Sequence, residues 1–258
     1  MENHEIQNWE SWKSEISKVR SNESRLKTED RYISSLLFRG HRGGSWKLES
    51  TLERKGIELP AINSFSTQIK EIKLAFESYM GSNWSSEFKA SDAPSPPEDY
   101  EFMVYLRHHG YPTPLLDWSR SPYIASFFAF QYPSLENTVA VYSFREYAGG
   151  VKSGCANDSS VVGCGPIIRT HKRHYIQQAE YTYCRKKVGE DWYYSGHEKA
   201  LNKSSGDQDI LQKYLLPACI RSEVLAELDS MNINAYTLYG SEEGLAEMLA
   251  NREYRYKS

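Results

Sequence analysis

The sequence predicts an α+β protein, and three observations lead there. Helical periodicity and strand alternation fall in separate blocks: helix, strand, helices, strand, helix, three strands, helix, strand, helix. That order suits helices flanking a largely antiparallel sheet. No strand-turn-helix unit carries GxGxxG or a Walker phosphate loop, and the glycines of 40–44 fit neither pattern, so those nucleotide folds are excluded. The 258 residues also suffice for one domain with a sizeable core.

Composition narrows the function classes. A formal charge of −3 excludes a wholly basic nucleic-acid coat but allows a local basic patch. Four cysteines, Cys155, Cys164, Cys184 and Cys219, form no CxxC pair. Their spacing suits neither zinc nor a dense disulfide framework, so no metal is expected and a reducing cytoplasm is the expected home. The polar start, Met1 to Glu5, reads as no signal peptide. No apolar run approaches the roughly 20 residues of a membrane helix, and no internal repeat is visible.

Along the chain, Ile6, Trp9, Ile16 and Val19 share one helical face, which predicts an amphipathic helix over 5–20 with a polar loop over 21–31. Residues 1–31 thus read as N-terminal helix and linker, 32–251 as the main domain and 252–258 as a fraying tail. Leu36-Leu37-Phe38 reads as a buried strand that Arg39 to Gly44 ends in a flexible turn. Ile62, Phe65, Ile69, Ile72 and Phe76 mark a long helix, and Glu98 to His109 a second, stopped by Gly110. Leu115-Leu116 is a short strand left by Asp117-Trp118-Ser119. Ser119 or Ser121 caps the next helix, with Pro122 in its first turn.

Thr138 to Phe144, Tyr175 to Cys184, Leu211 to Cys219 and Ala235 to Tyr239 read as strands. Helices start at Ser222 and at Glu242. The segments 81–97 and 148–166 read as surface loops able to act as lids.

An arginine in an apolar run, a polar turn and a strand-borne glutamate suggest a cleft for an anionic ligand. The residues are Arg39, then Asp117 to Ser119, then Glu180. Each has a plainer alternative: a strand-end salt bridge for Arg39, a turn cap for Asp117, an edge-strand surface position for Glu180 and Gln178. Arg107 is read as a phosphate contact or a surface residue. His108 and His109 read as helix-end packing, because no third ligand has metal spacing.

Several blocks resemble the FRG domain family. They are Phe38-Arg39-Gly40, His108 to Thr113 joined to Leu115 to Ser119, Ser121 to Ala125 with Phe127 to Ala129, the approach Arg173 to Gln178, and Leu225 to Leu249. The resemblance spans roughly residues 33–250. Pro114 stands where an arginine is common in the family. A second resemblance is to ADP-ribosyltransferases of the Arg–Ser–Glu type. It rests on Arg39, on Ser119 with Ala125 and Phe128, and on Gln178-Ala179-Glu180, in that order.

The second resemblance implies a split mixed or antiparallel sheet with flanking helices, and NAD as co-substrate for mono-ADP-ribosyl transfer. Glu180 would stabilise the cationic ribose, and Gln178 would contact the acceptor. Arg39, beside Gly40, would grip the diphosphate through its planar fork. Ser119 would bond the ribose, and Trp118 or Tyr123 would stack on nicotinamide. The basic residues Arg169, Lys172, Arg173, Arg185 and Lys186 flank the proposed catalytic strand among tyrosines, which suits RNA or another nucleic acid as acceptor. Such an activity implies a bacterial toxin or antiviral effector held by an inhibitory antitoxin protein. The rivals are a non-catalytic nucleotide or nucleic-acid binding module, a protein-targeting transferase, a nuclease using His108, His109 and Asp117, and a scaffold.

Overall fold

The computed structural model describes residues 2–28, 33–81, 83–84, 96–147, 158–168, 170–201 and 208–255. In chain order the elements are β1 (Glu2–Glu5), α1 (Trp9–Thr28), β2 (Leu37–His41), α2 (Thr51–Arg54), α3 (Ile62–Met80) and α4 (Tyr100–His108). Next come β3 (Leu116–Ser119), α5 (Pro122–Phe130), β4 (Thr138–Tyr147), β5 (Ser160–Gly163), α6 (Arg173–Ile176), β6 (Ala179–Val188) and β7 (Asp191–Ser195). The chain continues with α7 (His197–Leu201), β8 (Gln208–Pro217), α8 (Arg221–Ser230), α9 (Ala235–Tyr239) and α10 (Glu242–Ala250).

The fold class is α+β. Among the described residues one sheet runs β1-β8-β4-β2-β3-β6-β5, with β7 also pairing β6. Its pairs are antiparallel except β1 with β8. Cross-strand register sorts the faces. Phe38 lies opposite Ser119, and Ser119 opposite Ala179, so these three share a face. On that side α1, α5 and α8 cover β4 and β8 through Trp9, Trp12, Phe127, Phe130, Val141, Tyr214 and Leu228. The helices α3 and α4 cover β6 on the same side through Phe65, Phe102, Tyr181 and Tyr183. The other face packs Leu37, Trp118, Tyr142 and Phe144 with Ala200 and Leu201 of α7.

Local chemistry explains the helix ends. Ser121 accepts from the Ile124 amide and Pro122 opens α5, because proline's missing N–H is no loss at that position. The α5 helix is apolar all round and buried between β2 and α8. Gly40 permits its close approach: a Cβ there would stand 1.9 Å from the Ala125 carbonyl oxygen.

Several expectations change. The first helix continues to Thr28 through the segment expected as loop, and Trp12 joins its buried face. A strand, β1, precedes it. The strand expected to end at Phe38 carries on through Arg39, Gly40 and His41, paired with β4 throughout. Asp117, Trp118 and Ser119 lie inside β3 and not in a turn beyond it. Residues 235–239 form a helix and not a strand: Asn234 and Thr237 close a capping box, and Gly240 ends it at φ 61°. Trp192 to Tyr194 lie in β7, which forms an antiparallel hairpin with β6. The expected loop over 148–166 contains β5. Its residues 148–157, with 82, 85–95, 169 and 256–258, lie outside the described residues, so the lid reading of both loops has no structural account. No helix among the described residues is long and apolar enough to cross a membrane.

Candidate functional site

The site lies where β2 and β3 separate. Their ladder is a single pair, Phe38 opposite Ser119. Beyond it a cavity of about 230 Å³ opens. Strand β2 contributes Phe38, Arg39 and Gly40 to its wall, and β3 contributes Asp117, Trp118 and Ser119. Ala179 and Tyr181 of β6 close a second side, Ala125 and Phe128 of α5 a third, and Arg54, Arg107 and His108 the last.

Charge dominates this cavity. Arg39 donates from Nη1 to the Asp117 carbonyl oxygen at 2.6 Å and to its Oδ1 at 2.5 Å. Its Nε donates to His41 Nε2 at 2.9 Å. Arg107 donates to the same Asp117 Oδ1 and, from Nη1, to Thr51 Oγ1 at 3.2 Å. Both arginine side chains are 9% exposed and that of Asp117 is 44% exposed. Burial pushes the Asp117 carboxyl up, but Arg107 and Arg39 outweigh it and hold the group well below the carboxylate range. Burial and the Arg39 charge hold His41 well below the usual imidazole value, which suits a neutral ring accepting at Nε2. His108 contacts the Tyr181 hydroxyl at 3.0 Å, and burial lowers it to about 4.

The turn-cap reading of Asp117 is therefore replaced. It is the shared counter-ion of two buried arginines, one 78 residues distant in sequence. Arg54 went unnoticed in the sequence. The signal was there, because Ser50 and Glu53 form a capping box that starts α2 and sets Arg54 at its end.

The expected groove between Arg39 and Glu180 is not found. Register places Arg39 in the row of Trp118 and Glu180, on one face of three adjacent strands, each about 4.8 Å from the next. Trp118 stands between the two charged residues. Its indole stacks on Phe144 at 5.3 Å and donates to Thr182 Oγ1 at 2.9 Å. On β6 the cavity meets Ala179 and Tyr181, so strand alternation puts Glu180 on the face behind that wall, whereas Arg39 of the same row reaches Asp117 where the β2–β3 ladder has stopped. There Glu180 is buried, 3.7 Å from Arg120 Nε. Burial raises its carboxyl, with Ser35 and Arg120 opposing.

Gln178 is not on the strand with Glu180. It precedes β6 at φ 48°, exposed, because a left-handed residue turns the chain from α6 into β6. It lines a second cavity with Arg120, His174 and Tyr175. Ser119 does reach the first cavity, where its hydroxyl donates to the Gln177 carbonyl at 2.7 Å and accepts from the Ser121 amide. Trp118 borders the cavity, but its ring is committed to Phe144. Tyr123 turns to Trp9, ring centroids 6.3 Å apart, and does not line the cavity. Phe128 supplies the aromatic wall instead.

The basic residues do not form one patch. Arg173 donates to the Tyr239 carbonyl at 2.8 Å and covers its ring. Arg185 lies over Trp192 at 4.7 Å, six residues into β6 and so about 20 Å from its start. Lys172 is exposed and Lys186 half-buried. Arg169 lies outside the described residues. Among the described residues no group of three or more His, Cys, Asp or Glu could hold a metal ion.

Residues 34–138 match the FRG domain family. The chain carries an FRG domain. The match runs from the approach to β2 to the first residue of β4. Within the FRG domain lie Arg39, Arg54, Arg107, Asp117 and Ser119, which is the charged half of the cavity. Gln178 and Glu180 lie beyond it. Comparison with curated proteins and with solved structures found no match.

Proposed function

We propose that the protein is an NAD-dependent mono-ADP-ribosyltransferase whose cleft grips a diphosphate. The supporting observation is the arginine-lined cavity at the parting of β2 and β3, set beside three neighbouring strands that carry Arg39, Ser119 and Glu180 in that order. Cleaving the bond between ribose and nicotinamide builds positive charge on the ribose, which a carboxylate stabilises. Nicotinamide leaves neutral and needs no strong acid. Glu180 is the assigned carboxylate, and the acceptor is RNA or another nucleic acid. The biological role that follows is a toxin or antiviral effector restrained by an antitoxin.

A second reading is a non-catalytic module that binds a nucleotide. The observation favouring it is Trp118, which fills the space between Arg39 and Glu180. Incubation with labelled NAD and separate pools of RNA, DNA and protein decides. Transfer to one pool that is lost in Glu180→Ala supports the enzyme and names the acceptor. ADP-ribose binding that survives Glu180→Ala, with label on no pool, supports the module. Transfer kept in Glu180→Ala but lost in Asp117→Asn moves the catalytic role to the carboxylate that faces the cavity.

A further inference from the structure

Three guanidinium groups border the cavity, and they are not equivalent. Arg39 and Arg107 are buried, and both donate to Asp117 Oδ1. Arg39 also donates from Nε to His41 and from Nη1 to the Asp117 carbonyl, and Arg107 from Nη1 to Thr51. Arg54 differs. It is exposed at the end of α2 and lines the cavity, and its guanidinium makes no hydrogen bond or ion pair among the described residues.

Although Arg54 keeps an exposed surface, partial desolvation lowers its proton affinity and repulsion from Arg39 and Arg107 adds to this, with Asp117 and Glu49 opposing, so it shares their electrostatic field. Among these groups three cations face one carboxylate. That leaves a positive surplus which a diphosphate would match. At Arg39 and Arg107 an anion competes with a carboxylate already bound to the guanidinium. At Arg54 it displaces only water, and it gains charge-assisted hydrogen bonds from a free fork.

We propose that Arg54 is the arginine that engages the diphosphate of the ligand, and that Asp117 holds Arg39 and Arg107 as the positioning frame behind it. The proposal rests on the diphosphate reading of the cleft given above. It transfers the anion contact from Arg39, the residue the sequence pointed to, to a residue the sequence left unremarked.

The test is calorimetric titration of inorganic pyrophosphate, and separately of ADP-ribose, into the full chain and its Arg54→Gln and Arg54→Lys variants at low salt. Arg54→Gln should bind pyrophosphate about tenfold or more weakly and unfold at the wild-type midpoint, since no internal bond is lost. Arg54→Lys should recover part of the affinity, because it keeps the charge without the fork. Wild-type affinity in Arg54→Gln overturns the proposal. Pyrophosphate binding that depends on Arg54, without transfer of label from NAD, overturns the transferase and leaves this assignment standing. Failure of the wild-type chain to bind either probe overturns both.

Discussion

Arg39 and Asp117 close the gap that their strands leave. One guanidinium nitrogen donates to both the carbonyl and the carboxylate of Asp117, where the β2–β3 ladder has stopped after a single pair. The side chain thus takes the place of missing backbone pairing. It also holds the cavity wall in position.

Removing that tie should weaken the fold. Arg39→Gln should lower stability by about 2 kcal/mol, less than a fully buried pair would lose, because Arg107 still neutralises the half-exposed Asp117. Urea unfolding of the variant against wild type measures it. An unchanged midpoint would mean the pair contributes nothing.

Gly40 is required by contact and not by backbone angle. A methyl group there meets the Ala125 carbonyl at 1.9 Å and the Ala129 amide at 2.6 Å, both main-chain atoms of α5. Gly40→Ala should therefore cost about 3 kcal/mol or more, seen as a large drop in Tm. A small drop would show that α5 shifts freely on β2.

Acid should destabilise the protein above the carboxylate range. Burial lowers His108 to about 4 and His197 to about 3, and holds His41 well below 6.5. These folded-state values lie below the unfolded value, so the unfolded chain binds more protons as pH falls. The stability is fully present above about pH 6.5 and is lost progressively as pH drops towards 4 and below. Glu180, raised by burial, titrates in the opposite sense, as one group against three imidazoles. Urea midpoints from pH 8 to 4 should fall, and His197→Asn should flatten the curve. A flat wild-type profile would contradict the neutral buried rings.

Glu180 separates fold from chemistry. Burial raises its carboxyl, so ionisation opposes folding and is felt above its folded pKa. Glu180→Gln should therefore match or exceed wild-type stability at pH 8, and the difference should shrink in acid. Label transfer from NAD should disappear in the same variant under the transferase reading. A loss of stability at pH 8 would show that native contacts favour the carboxylate form.

The elements with strong local signals were legible. The 3-4 spacing from Ile62 to Phe76 marked α3, and Ser121-Pro122 marked the start of α5. Arg39 was read into the turn after the apolar run, yet it lies within β2 and borders the cavity. What failed were short elements with ambiguous period. Ala235 to Tyr239 is five residues long, too few to tell alternation from a helical turn without weighing the Asn234 cap. Tyr175 to Gln178 were counted into β6 because alternation continues through them, yet Tyr175 and Ile176 belong to α6 and the left-handed φ of Gln178 delays the strand to Ala179.

By itself the sequence determined which segments bury an apolar face, where α3 and α5 begin, and that an arginine directly follows the apolar run of residues 36–38. These are local properties, set by periodicity and capping within a few residues. Only the tertiary structure decided which charges meet. Arg39, Arg54, Arg107 and Asp117 converge because β2 and β3 are neighbours and part after one pair. Glu180 turns away because the pleat of β6 presents Ala179 and Tyr181 to that cavity. Strand order and register join residues far apart along the chain, and no local pattern carries that information.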